Sequence, residues 1–100
     1  MAPSCALDER GLQTQLERYR RAGRDARLIE RTPRRLVAEL DRDVDVTLVA
    51  EAVAVERECC PFFAVSWEPD RRRLTVAVAQ AEYEPALDAI VYALGLRAPD

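Results

Sequence analysis

The 100-residue chain contains no histidine, and all fifteen of its basic residues are arginine. Without histidine, the Ser-His-Asp and Cys-His arrangements that activate many protein nucleophiles are excluded. A zinc site within one chain normally uses histidine or four cysteines, and this chain has only three cysteines. The absence therefore disfavours zinc and the familiar hydrolases, and it directs attention to the thiols.

Long apolar runs are also absent from the sequence, and its start does not resemble a secretory signal. No run approaches the roughly 18 apolar residues of a membrane-spanning helix, and the start, MAPSCALDERG, lacks the basic and apolar regions of a secretory signal. We therefore expect a cytoplasmic protein with reduced thiols. The net charge of −3 provides no general attraction to nucleic acids or anionic membranes, so we expect neither as a partner.

A chain of this length supports one domain, residues 1–100, with one modest core. Residues 1–10 form a leader that passes into the first helix. Helical spacing predicts that Leu12, Leu16 and Tyr19 lie on the buried side of this helix, which begins at an Asp8 cap and stops at Gly23.

Two hairpins alternate with two further helices. The first hairpin has predicted strands at 26–31 and 35–41, and a buried helix follows that is capped by Asp43 or Asp45 and ends near Cys59. The second hairpin has one predicted strand through Phe63, Val65 and Trp67 and another through Leu74, Val76 and Val78. A last helix is predicted from Pro85 to Gly95. The order α-β-β-α-β-β-α predicts an α+β two-layer sandwich with a mainly antiparallel sheet. Hairpin plus helix occurs twice, at 26–58 and 62–94, which suggests a pseudo-repeat.

Such a domain leaves a sheet face or edge exposed, so we also expect a homodimer, whose interface the sequence does not locate.

The segment ERECCPFF places two cysteines side by side at the predicted end of a helix. Adjacent helical residues point about 100° apart, so Cys59 and Cys60 can face one ion only where the helix is distorted, as it is before Pro61. Thiolates prefer soft ions such as Cu(I), Hg(II) and trivalent arsenic. With Cys5 as third donor the site has three thiolates; without it, two thiols suffice for a linear soft ion.

Three aromatic residues follow the cysteine pair, namely Phe62, Phe63 and Trp67. Phe63 and Trp67 in particular are expected to be core aromatics on a half-buried strand. Alternatively, the three aromatic residues wall the thiols from water.

The stretches Cys5-Ala6-Leu7 and Glu56-Arg57-Glu58-Cys59-Cys60-Pro61-Phe62 resemble the C-x-L start and E-R-x-C-C-x-F centre of a family of small bacterial proteins, over nearly the whole chain. Similar double-cysteine segments are attached to mercury-responsive regulators and occur in heavy-metal resistance settings. The resemblance implies a soft-metal thiol site at Cys5, Cys59 and Cys60. A more distant comparison is organomercurial lyase, which uses two cysteines and a carboxylate, but here the cysteine spacing differs and much of that enzyme's length is missing.

Three functions remain open. The first is binding of a soft metal or metalloid for sequestration, transfer or sensing, with Cys5, Cys59 and Cys60 as ligands and Glu58 as a nearby acid. The second is a thiol-dependent enzyme, for carbon–metal protonolysis or as a redox relay, with Cys59, Cys60 and Glu58 as catalytic candidates. The third is a structural or interaction module in which the cysteines only pack. Outside a functional role, Glu56 and Glu58 are expected at a solvated helix end.

Overall fold

Helices alternate with hairpins along the chain, as the sequence predicts. A computed structural model describes residues 9–59 and 62–96. Its elements are α1 (Glu9–Ala22), β1 (Arg27–Thr32), β2 (Arg35–Glu39), α2 (Val46–Cys59), β3 (Phe63–Glu68), β4 (Arg73–Val78) and α3 (Glu84–Leu94), with a 3-10 turn at Ala81–Tyr83. The α+β order α-β-β-α-β-β-α is confirmed. No helix in these two ranges is long and apolar enough to cross a membrane.

The four strands form one antiparallel sheet in the order β1-β2-β4-β3. Alternation along the central strands places Leu36 and Ala38 of β2, and Leu74 and Val76 of β4, on one buried face. α2 contacts β3, and α3 contacts β4 and β2. The helices therefore cover the apolar face and form the second layer. Each hairpin is followed by one of these helices, so the order β-β-α occurs twice.

α1 packs across α2 and α3 rather than directly on the sheet. Its buried residues are Gln15, Tyr19 and Ala22, whereas Leu12 and Leu16 are 46% and 45% exposed. The prediction that Leu12 and Leu16 lie on the buried side is therefore wrong. Leu16 follows Gln15 by one residue and so points about 100° away from it. Hydrogen bonds made by Gln15 determine which side of α1 is buried.

Local signals fix where α2 and α3 begin and end. The N–H groups of Thr47 and Leu48 donate to Asp45 Oδ1 at 3.0 and 3.2 Å, so Asp45 is the cap of α2. Pro85 lies in the first turn of α3, and Gly95 ends that helix with a φ of 71°. This left-handed conformation suits glycine because it has no Cβ atom. The predicted ends of these helices are confirmed.

The contact between the end of α1 and the end of α3 depends on Gly23. A Cβ atom at this position would overlap the carbonyl oxygen of Leu94. Ala22 and Leu94 on either side of the contact are 1% and 2% exposed, so neither has space to move aside. Gly23 therefore permits a close backbone approach as well as ending α1.

We predict that Gly23→Ala lowers the free energy of unfolding by about 2–3 kcal/mol, because the added methyl group overpacks a filled contact. Urea unfolding followed by circular dichroism measures this change. The control is Arg24→Ala, at an exposed position of the same turn, which should change stability by less than about 0.5 kcal/mol. Equal effects of the two substitutions would contradict the steric explanation.

Candidate functional site

The candidate thiol site lies at the C-terminal end of α2. Cys59 is the last residue of the helix, and its free thiol is half-buried and packs against the core. Cys5 and Cys60, the other two predicted ligands, lie outside the described residues, as do Asp8 and Pro61. Within residues 9–59 and 62–96, no group of three or more histidine, cysteine, aspartate or glutamate residues could hold a metal ion.

α1 runs antiparallel to α2. Gln15 Nε2 donates to the carbonyl oxygen of Ala52 and to Glu56 Oε2, both at 2.8 Å. Arg18, one turn later in α1, lies 3.8 Å from the carboxylate of Glu51, which is earlier in α2. Residues later in α1 thus contact residues earlier in α2, which is the pattern of antiparallel helices.

This register places the beginning of α1 at the thiol end of α2. Glu9 precedes Gln15 by six residues, which corresponds to about 9 Å of helix. Cys59 follows Glu56 by three residues, or about 4.5 Å. Because Gln15 and Glu56 are in contact, the first turn of α1 extends slightly beyond the end of α2.

Glu56 is buried between α1 and α2, with 4% exposure, so the expectation of a solvated position is wrong for this residue. Burial raises the pKa of Tyr19 well above its ordinary value, and the charge of the Glu56 carboxylate and the hydrogen bond to it raise it further. The Tyr19 hydroxyl therefore stays protonated and donates to Glu56. Arg18 Nη1 donates to Gln15 Oε1 at 3.0 Å. The Gln15 amide and the Tyr19 hydroxyl thus hydrogen-bond the buried Glu56 carboxylate, and Arg18 satisfies the amide oxygen of Gln15.

The sequence does contain a signal for this buried network. Glu56 follows Ala52 by four residues and Val53 by three, so it continues the apolar stripe of α2. Gln15 precedes Tyr19 by four residues and shares its side of α1. When each of two neighbouring helices has a polar residue on its apolar stripe, the two residues are expected to hydrogen-bond to each other. The sequence analysis above did not predict this pair.

Arg57 and Glu58 differ in their surroundings although they are adjacent. The Nε and Nη2 atoms of Arg57 donate to the carbonyl oxygen of Val65 at 3.1 and 2.8 Å. Val65 belongs to β3, an outer strand of the sheet, so the guanidinium occupies a carbonyl group at the sheet edge. Glu58, the predicted acid, is exposed.

Aromatic rings pack against one another at the start of β3. The ring centroid of Phe62 lies 4.5 Å from that of Phe63 and 4.8 Å from that of Tyr83, and the Tyr83 ring is stacked with an interplanar angle of 14°. Phe63 is buried in the core, as predicted. Trp67 is half-buried and lies about 13 Å further along β3. Phe62, Phe63 and Tyr83 thus form one aromatic cluster, and Trp67 lies apart from it along the strand.

Comparisons with known proteins do not assign the chain to a family. No family model matches it, and neither the curated proteins nor the solved structures include a match. A proposal for its function therefore depends on the residues themselves.

The buried network gives a prediction for the dependence of stability on pH. The unfolded chain releases the Tyr19 proton near pH 10.0, whereas the folded protein retains it. The contribution of Tyr19 is therefore constant below pH 10 and falls above it, by at most about 1.4 kcal/mol per pH unit.

Urea unfolding between about pH 8 and pH 11 tests this prediction. The decline above pH 10 should be smaller in Tyr19→Phe than in the wild type. Tyr92→Phe is the matched control because Tyr92 is 88% exposed, and it should decline like the wild type. The prediction is wrong if Tyr19→Phe and Tyr92→Phe have the same pH dependence.

Proposed function

We propose that the protein binds a soft metal or metalloid ion, such as Hg(II) or Cu(I), through Cys5, Cys59 and Cys60, and that it sequesters, transfers or senses this ion. The observation that carries the proposal is the antiparallel register of α1 on α2, which brings the start of α1 to the helix end where Cys59 lies. Thiolates bind such ions in preference to hard ones.

The reach of the chain before α1 supports a contribution from Cys5. Cys5 precedes Glu9 by four residues, which span at most about 13 Å when extended. Glu9 lies only about 4.5 Å beyond Cys59 along the helix axes. Metal–sulfur bonds of about 2.3 Å require the sulfur atoms to lie within about 4 Å of one another. Packed helix axes also lie about 8–10 Å apart, so the total separation is roughly 10 Å, which a segment of this length can span.

The surroundings of Cys59 also favour a cation. The C-terminal end of a helix carries partial negative charge, so an ion held by Cys59 is stabilised there. Arg57, the nearest positive side chain in sequence, is bonded to Val65 and so is directed to the sheet edge. We place the function in the cytoplasm because a reducing compartment keeps the thiols available.

A packing role for Cys59 is the competing proposal. It is favoured by the contact of Cys59 with the core, because free cysteine often serves as a small hydrophobic residue. In that case Cys59→Ala would lower stability and would leave ligand binding unchanged. Metal binding by variants separates the two proposals.

We predict that the reduced protein binds one Hg(II) per chain in competition with glutathione and loses three titratable thiols. Cys59→Ser and Cys60→Ser should each weaken binding by at least about 100-fold. Removing a metal ligand weakens metal binding at least as much as removing a group that hydrogen-bonds to a ligand. Cys5→Ser should weaken it less, since the adjacent primary ligands Cys59 and Cys60 both remain to hold a linear ion. Competitive titration with a thiol count measures these effects.

The matched control is Asp45→Ala, which removes the cap at the opposite end of α2. It should cost about 1 kcal/mol of stability and bind Hg(II) like the wild type. The metal-binding proposal is wrong if all thiols stay titratable and no ion binds in the presence of glutathione. Undiminished binding by Cys59→Ser would likewise exclude Cys59 as a ligand.

A further inference from the structure

The sheet face opposite the helices has a small, neutral centre. Alternation along the strands places Val37, Ala64, Ser66, Thr75 and Ala77 on this face, paired across β2, β4 and β3. Val37 is buried, Thr75 and Ala77 are half-buried, and Ala64 and Ser66 are exposed. Such short side chains allow another flat surface to approach closely.

One end of this face carries a row of charges that alternate across all four strands. The register pairs Arg27 with Glu39, Glu39 with Arg73, and Arg73 with Glu68. In the strand order β1-β2-β4-β3 the signs are therefore plus, minus, plus, minus. Arg27 Nη2 donates to Glu39 Oε1 at 2.7 Å. Within the described part of the chain, the buried Nε atom of Arg73 has no hydrogen-bond partner.

A row of four alternating charges is complementary to its own reverse. When a two-fold axis parallel to the strands turns one copy onto another, the order of the strands is reversed. Arg27 then faces Glu68 of the second copy, and Glu39 faces Arg73 of the second copy. We propose that this face binds a second copy of the chain, giving a two-fold dimer with the sheets packed face to face.

The remaining charges on this face fit the same arrangement. Arg35 would face Ala77 of the second copy, and Glu30 would face Ser66 of the second copy. No two like charges therefore face each other in this arrangement. Nearly parallel strands in the two sheets are also the geometry of aligned sheet packing. The mixed signs offer no net attraction to a polyanion such as nucleic acid.

The size of the face indicates a weak dimer. Four strands about 4.8 Å apart and about five residues long cover roughly 19 by 17 Å. This is a small interface, which is typical of transient association. Because its specific contacts are ion pairs between exposed or half-buried side chains, dimerisation should weaken as salt is added.

Single charge reversals at the outer strands test the proposal. Arg27→Glu places two pairs of glutamates in opposition across the dimer, and Glu68→Arg places two pairs of arginines in opposition. Each should weaken dimerisation about 10- to 30-fold in low salt, as measured by analytical ultracentrifugation from about 10 µM to 1 mM. The matched control is Arg10→Glu, an exposed position on α1, which should dimerise like the wild type.

Mixing the two variants provides the decisive measurement. In a heterodimer of Arg27→Glu with Glu68→Arg, every charge of the row again faces an opposite charge, so native mass spectrometry should detect the heterodimer. The double variant should dimerise with itself for the same reason. Residues 27 and 68 lie about 14 Å apart across the sheet, too far to contact each other within one copy. Dimerisation that recovers in these experiments therefore reflects contacts between copies.

Three results would overturn this proposal, none of which involves metal binding. They are a wild type that stays monomeric at all these concentrations, single variants that dimerise like the wild type, and a mixture that does not form the heterodimer.

Discussion

The hydrogen-bonded contact between Gln15 and Glu56 determines how α1 lies on α2. Two purely apolar helix faces can shift along each other at modest cost, but here a shift would leave a buried amide and a buried carboxylate without partners. Tyr19 adds a second donor to the same carboxylate. The start of α1 is consequently held near the level of the end of α2 that carries Cys59, and the proposed metal site depends on this placement.

The elements of the fold follow from local sequence signals, whereas their arrangement does not. Asp45 and Gly95 mark helix ends through their own backbone and side-chain chemistry, and the hairpins follow from alternating apolar residues. The strand order β1-β2-β4-β3 depends on contacts between hairpins that are distant in sequence, such as Leu36 opposite Val76. No short segment contains that information.

The position of Cys59 at a helix end could be predicted from Pro61, because proline restricts the residue before it. The burial of Glu56 and the exposure of Leu12 were not predicted, and both errors have one cause. Apolar periodicity assigns every apolar residue to the buried side, but a polar pair inside the helix interface rotates α1 about its axis. The adjacent charged residues Arg57 and Glu58 likewise differ in their surroundings, since Arg57 bonds to the carbonyl group of Val65 and Glu58 is exposed.

The contact of Arg57 with Val65 also bears on fibril formation. An outer strand with free carbonyl groups is a template on which amyloid-like stacks can grow. At β3 this template is interrupted by a guanidinium group. At β1, on the opposite edge, the register shift between Leu28 and Glu30 breaks the regular spacing that a growing stack requires. Each outer strand thus carries a feature that disfavours templated polymerisation, and at β3 this feature is a side chain from the same segment that carries the cysteines.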